Sequence, residues 1–515
     1  VAVNVTLSWA TADAVPPLVL CAKDGPEQTP PSTCWVPTTC TVINENASSC
    51  SAMEARGTYE FEIDFSLSDG EPVVDGSAMG GGPFSRNEAL SLVIGLAMLG
   101  YFIHVIRSRK VQWLRSTNAL VEPLMSSPPQ QGRMDALDVF RGVTLALMVF
   151  VNYGGGGFRL FKHSAWDGLT IADVLFPWFA WIMGFSAVLA FRSRTRATPL
   201  STAALRSAKL FALGLFLNNG ESWSSWRFPG VLQALGAAYF VVCLALFCRR
   251  CAASTQQRQR CHTLPICSSM LTCVIIATTI YLVIVFQLHV PGCPRGYMGP
   301  GGSSDGGKYA NCTGGAHLYV DLLVFGRAHI YQTPTCQEQY DTGPYDPEGL
   351  LNWLMVAVTA LIGGACADHC QPNKSSKEPA RKLLISGTLL LLLSIAAGGW
   401  LFTAHPWIPI NKNLWSPSYV LLCSGSAAIA LAALISICRK RPRWTGAPFV
   451  SMGTNSIFVY VMHELLVDHV PFSPRGWDDS QHLGHVVLTL FNATGVICWI
   501  AIALWMDERR VFITL

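Results

Sequence analysis

Residues 169–191 read LTIADVLFPWFAWIMGFSAVLAF, an apolar stretch with a single charge, Asp173. A helix needs about 20 mostly apolar residues to cross a hydrocarbon core about 30 Å thick, so this stretch reads as a membrane span. The pattern recurs. Further apolar runs, bounded by charged or turn residues, lie at 88–106, 136–152, 207–218, 229–248, 268–288, 350–368, 383–402, 415–437, 447–467 and 485–506. Composition agrees: the 515 residues are 51% hydrophobic and 13% charged, with a mean hydropathy of +0.35. A soluble chain carries about 25% charged residues. The expected fold is an α-helical polytopic membrane protein of about 11 transmembrane helices. The net charge of +4 is spread as loop punctuation. It builds no basic face, which argues against a nucleic-acid partner.

Lys and Arg gather in cytosolic loops. One alternating set of loops holds 24 of them, in clusters such as Arg107 to Arg115, Arg192 to Arg196, Arg249 to Arg260, Lys374 to Lys382 and Arg439 to Arg443. The opposite set is longer in sequence and holds 11. With an odd number of spans, the N-terminal region then lies in a lumen and the C-terminus in the cytosol. Sequons at Asn4, Asn46 and Asn311 fall on the lumenal side and are the expected glycosylation sites. Those at Asn373 and Asn492 fall in a cytosolic loop and inside the last span, so neither is expected to carry sugar.

The resulting organisation is a lumenal N-terminal domain at 1–86, a first transmembrane helix at 87–106, a cytosolic linker at 107–134, and a ten-helix membrane domain at 135–515 with a long lumenal loop at 289–349. The head is expected to be small and β-rich, because Thr58 to Leu67 (TYEFEIDFSL) alternates at strand period. The sequence starts at Val1 without a signal-like apolar region. Its first 86 residues hold Cys21, Cys34, Cys40, Cys50 and two sequons, which suits a secretory compartment with a signal peptide already removed.

Ionisable groups inside spans are costly and therefore mark function. Asp138 and Arg141 share a helix face at the cytosolic entrance of the second span. They are expected either to pair with each other or to meet an incoming anion through Arg141. The same helix ends in Asn152, Tyr153 and four glycines, 154–157, and His163 follows among aromatics in FKHSAWDG. Asp173 sits one turn into the third span. Pro177, four residues on, frees the carbonyl of Asp173. An acid beside an imidazole orients it and stabilises its cation. His163, Asp173 and Asn152 therefore read as base or nucleophile, orienter and oxyanion donor. His463 with Glu464, and the Asn411-Lys412-Asn413 segment, are candidates to line the same cavity; the alternative for His463 is a hydrogen bond within the bundle. No metal-ligand spacing, Walker loop or Rossmann fingerprint stands out.

LDVFRG (137–142), MVFVNYGGG (148–156), FKHSAWDGLTIADVLFPWF (161–179), IMGFS (182–186), VPGCPRGYMGPGG (290–302), KYANCTGGA (308–316), YDPEG (345–349), NKNLWSPSYV (411–420) and NSIFVYVMHE (455–464) together closely resemble the heparan-alpha-glucosaminide N-acetyltransferases. The resemblance covers nearly the whole membrane portion, and the head and linker contribute little. It implies a lysosomal membrane enzyme that takes acetyl-CoA from the cytosol as co-substrate, with no permanently bound cofactor. The acetyl group passes to the terminal glucosamine of heparan sulfate in the lumen. The resemblance also implies His163 as the active histidine, Asn152 and Asp173 beside it, Arg141 with Asp138 at the CoA end, and a homodimer. Two mechanisms stay open: His163 carries the acetyl group, or it deprotonates the attacking amine. An acetyltransferase for another amino sugar, and a transporter or channel of the same topology, are the alternatives. Burial would lower the His163 pKa and Asp173 would raise it. Among lumenal cysteines, Cys293 and Cys312 are the expected disulfide; Cys336 is left over, free or bridged to a second subunit.

Overall fold

The computed structural model describes five short strands within residues 3–75. From 134 to 513 it describes all but the connections 194–199, 220–221, 254–268, 371–377, 399–406, 441–443 with 445, 468 and 470–483. The chain divides into two compact units, Val1–Ala89 and Leu90–Leu515. In the first, β1 (Val3–Trp9), β4 (Gly57–Asp64) and β5 (Val73–Asp75) form an antiparallel sheet in the order β1-β4-β5. β4 covers most of the strand expected at 58–67, whose last residues lie outside those described. β2 (Leu20–Cys21) pairs with β3 (Cys34–Trp35), in a register that sets Cys21 opposite Cys34.

The second unit is helical: α1 (Asp135–Asn152), α2 (Ile171–Ser193), α3 (Leu200–Asn218), α4 (Val231–Ala253) and α5 (Met270–Gln287) come first. Two short helices of the long loop follow, α6 (Ala316–Val324) and α7 (Gln337–Tyr340). Then come α8 (Leu350–Cys370), α9 (Glu378–Gly398), α10 (Pro417–Lys440), α11 (Phe449–Thr454), α12 (Ser456–Leu465) and α13 (His485–Glu508).

Eight of these described helices are long and apolar enough to cross a membrane. The other three expected spans differ for separate reasons. Residues 88–106 lie outside the described residues. α1 is long enough but carries Asp135, Asp138 and Arg141. The run at 447–467 is broken at Asn455 into α11 and α12. α3 begins at Leu200 rather than 207: its first turns carry Arg206 and Lys209, both solvent-accessible, beside the buried Ala203 and Leu210. α9 begins at Glu378 rather than 383, opened by Pro379 and a Glu378–Lys382 pair at 3.7 Å.

α8 is the central helix: 78% of its most apolar stretch is buried, against 17% in α3, α5 and α9. The outer helices present Ile275, Ile280, Leu389 and Leu392 outward, as a lipid-facing surface requires. Small residues bring the inner helices together. A Cβ on Gly184 of α2 would run into the Ala360 carbonyl of α8, and one on Gly142 of α1 into the Phe449 carbonyl of α11.

The described loops fall into two bonded groups at opposite ends of the helices. Segments 153–170, 219–230, 288–349 and 407–416 bond to one another, through pairs such as Trp166 to Met298, Phe228 to His329 and Asn413 to Ala165. At the other ends, Asp368 of α8 holds both Arg192 of α2 (2.7 Å) and Arg249 of α4.

Candidate active site

The first turn of α2 builds the site. Thr170 precedes the helix and Asp173 is its third residue. The Asp173 carboxylate turns back to accept from the Thr170 amide (3.1 Å) and hydroxyl (3.0 Å), one half of a capping box at the helix start. The same oxygen, Oδ2, accepts from the Ser164 amide (3.2 Å) and hydroxyl (2.8 Å). Oδ1 faces His163 Nδ1 at 2.8 Å. Asp173 is fully buried, and His163 keeps 36% of its side chain accessible. Pro177 deprives the Asp173 carbonyl of its helical donor, and the Tyr419 hydroxyl of α10 donates to it instead at 2.5 Å. The sequence reading gave no replacement donor.

A second strand of chain closes on this loop. Gly168 N–H donates to the Ile410 carbonyl (2.9 Å), Asn411 Nδ2 to Asp167 Oδ1 (3.0 Å), and Asn413 Nδ2 to the Ala165 carbonyl (3.1 Å). Burial raises the Asp167 pKa against that Asn411 bond. Zipped this way, the 411–416 segment delivers Lys412 Nζ to 3.0 Å from His163 Nδ1 and 3.8 Å from Asp173 Oδ1. Lys412, then burial, hold the His163 pKa below its ordinary value; the Asp173 bond and charge, and the Glu348 charge, oppose them without prevailing. The sequence reading placed Lys412 in the cavity lining but did not see it as the group that decides this balance. The available signal was a lysine between two asparagines in a loop set otherwise poor in basic residues.

Asn152 lies in a different cluster. Its Nδ2 is 2.8 Å from Glu464 Oε1 and 3.0 Å from His463 Nε2. His463 Nδ1 lies 2.6 Å from the Tyr460 carbonyl, so Nδ1 carries the proton and Nε2 accepts. Both amide hydrogens of Asn152 are therefore committed, and the oxyanion-donor role expected of it has no donor left in this geometry. The glycine run explains itself structurally. Gly154 to Gly157 all have positive φ. Asn492 of α13 clasps them, accepting from the Gly156 amide (2.7 Å) and donating to the Tyr153 carbonyl (2.5 Å). That buried role also removes Asn492 as a sugar acceptor, whereas Asn311 is exposed.

Arg141 makes the expected pair with Asp138 and also faces a cavity. Nη1 pairs with Asp138 (2.9 Å) and Nη2 donates to Ser186 (2.8 Å), while the side chain lines a cavity of about 360 Å³. Asp138 acts on that cavity through Arg141. The same walls include Arg206, Tyr239, Thr454 and Tyr460, and reach Met148 and Phe176. Met148 is one turn from Asn152, and Phe176 one turn from Asp173, a rise of about 6 Å or less.

Beside the site, Arg227 grips Asp346 with two bonds (2.8 and 2.6 Å) and Glu348 with a third (2.5 Å). Burial opposes the Arg227 charge, but the two acids outweigh it and push its pKa up. Asp346 is fully buried. Arg227→Met should therefore destabilise the protein by about 3–5 kcal/mol, by leaving that carboxylate uncompensated. Thermal unfolding in detergent would check this, and a loss under about 1 kcal/mol would mean that water already reaches Asp346.

Cys293 and Cys312 form a disulfide, with Cα atoms 5.7 Å apart. Cys336 is free and enclosed with Trp166, Tyr345 and Leu414, its sulfur 3.2 Å from Thr342 Oγ1. A bridge from Cys336 to a second subunit does not fit that burial.

Comparison with known proteins bears on these residues directly. Residues 133–256 match the family described as heparan-alpha-glucosaminide N-acetyltransferase, catalytic. That segment contains Arg141, Asn152, His163 and Asp173. The heparan-alpha-glucosaminide N-acetyltransferase of Homo sapiens is 38% identical over 407 residues, 76% of this chain and 60% of that protein. The Mus musculus enzyme of the same name is 39% identical over 402 residues, 74% of this chain and 60% of that protein. The chain thus spans about three-fifths of the length of these two relatives. On this match, His163 and Asp173 lie in a segment that is similar to the heparan-alpha-glucosaminide N-acetyltransferase catalytic family.

Proposed function

We propose that this protein transfers the acetyl group of cytosolic acetyl-CoA across the lysosomal membrane to the terminal non-reducing alpha-glucosamine of heparan sulfate. The observation that carries the reading is the cavity running from Arg141 and Arg206 to within a helical turn of Asn152 and Asp173. A thioester entering from the Arg-rich side, with its anionic part beside the two arginines, would project its acetyl group between α1 and α2. The acceptor would come from the face that carries His163.

Asp173 takes Nδ1–H of His163, which leaves Nε2 with its lone pair. In one route Nε2 attacks the thioester carbon, the CoA thiolate leaves, and the glucosamine amine then cleaves the acetylimidazole. In the other the amine attacks the thioester directly and Nε2 accepts its proton. Both end at free CoA on one side and an N-acetylated sugar on the other. The excess of Lys and Arg in one set of loops supports an N-terminus in the lumen and a C-terminus in the cytosol. Asn311 is the acceptor for sugar on the long loop, and the enzyme works as a homodimer.

The test is sidedness. Sealed vesicles with the C-terminus outward receive labelled acetyl-CoA outside and a glucosamine-terminated heparan oligosaccharide inside. The expected result is labelled oligosaccharide in the lumen only. Transfer solely to an acceptor on the acetyl-CoA side would overturn the reading, and transfer to other amino sugars in its place would reassign the acceptor.

A further inference from the structure

We propose that Lys412 is a positioning residue of this site: its ammonium, 3.0 Å from His163 Nδ1, disfavours an imidazolium and keeps Nε2 a free lone pair in acid. The inference rests on reading His163 as the reacting group.

Nδ1 cannot satisfy both of its neighbours. A carboxylate only accepts and an ammonium only donates, so one nitrogen bonds one of them. Oδ2 of Asp173 already takes four donors from Ser164 and Thr170, whereas Oδ1 has His163 Nδ1 at 2.8 Å and Lys412 only at 3.8 Å. A fully buried carboxylate oxygen needs a donor, which selects the Nδ1–H tautomer. Lys412 then acts on the ring through charge rather than through a bond. The charged groups acting on His163 are Lys412 from the 407–416 segment, Asp173 from α2 and Glu348 ahead of α8. Lys412 is 13% accessible, so solvent screens it little. Its presence lowers His163 where the two acids alone would raise it. An imidazole of reduced basicity is also a better leaving group, which favours departure of the acetyl group from Nε2 in the carrier route.

The test reads the imidazole without catalysis. Diethyl pyrocarbonate acylates uncharged histidine, and peptide mass spectrometry follows carbethoxylation of His163 against pH in the membrane-embedded full chain. Wild-type protein should stay reactive below the midpoint of free histidine, near pH 6.5. Lys412→Met should move the midpoint to higher pH and cut the rate at pH 5 by at least about threefold, while Lys412→Arg should restore it. The acid limb of acetyl transfer should move in the same direction. A Lys412→Met midpoint equal to wild type, or an arginine variant that behaves like methionine, would overturn the proposal. The modification data stand even if the protein acetylates a different acceptor.

Discussion

His163→Ala should lower acetyl transfer by about 10³-fold or more, the loss that follows when a positioned base or nucleophile is removed. The variant should still fold. The side chain it removes is over a third accessible, so truncation opens no sealed cavity, and Asp173 keeps its four bonds from Ser164 and Thr170. Activity within tenfold of wild type in purified membranes would remove His163 from the reaction. The wild-type protein supplies the companion measurement. Incubated with acetyl-labelled acetyl-CoA and no sugar, it should yield label on His163 if the imidazole carries the acetyl group, and none if it acts only as a base.

Asp173→Asn should cost about 10²–10⁴-fold, for a different reason. The amide fills the same buried volume but presents a donor where Oδ1 accepted. If its NH₂ faces His163, the ring proton moves to Nε2 and the reactive lone pair is lost. If it faces Ser164 and Thr170 instead, up to four donors lose their carboxylate oxygen. The residual activity carries a signature. Asp173 raises the His163 pKa, so its loss moves the acid limb to lower pH, opposite to the shift expected for Lys412→Met. Equal displacements of the same sign in the two variants would show that neither group acts on His163 by charge.

The sequence made most of the membrane architecture legible because apolar runs and loop charge are local properties. Sequence reading failed where a helix was amphipathic at its start, as at Arg206 in α3, or interrupted, as at Asn455. At the site, His163 and Asp173 are ten residues apart and share one loop and one helical turn, so their pairing could be inferred. Asn152 could not be placed: its partners His463 and Glu464 come from α12, over 300 positions later. Lys412 and Tyr419 were equally hidden, because their effect on Asp173 and His163 is a tertiary contact with no periodic trace. The enclosure of Cys336 is of the same kind, set by Trp166 and Tyr345 rather than by its own neighbours.

The zipper between residues 163–168 and 410–416 has a consequence for biogenesis. Its bonds join positions separated by 242 (410 − 168) to 248 residues, and the Tyr419 hydroxyl reaches back 246. During synthesis at about 5–20 residues per second, the loop bearing His163 would wait on the order of ten seconds or more for the segment that completes it. Until α10 is inserted, the Asp173 carbonyl freed by Pro177 has no tyrosine to cap it. Changes at 407–419 that slow insertion should therefore lower the amount of protein through retention and degradation of an unfinished chain, even where the mature site would tolerate them.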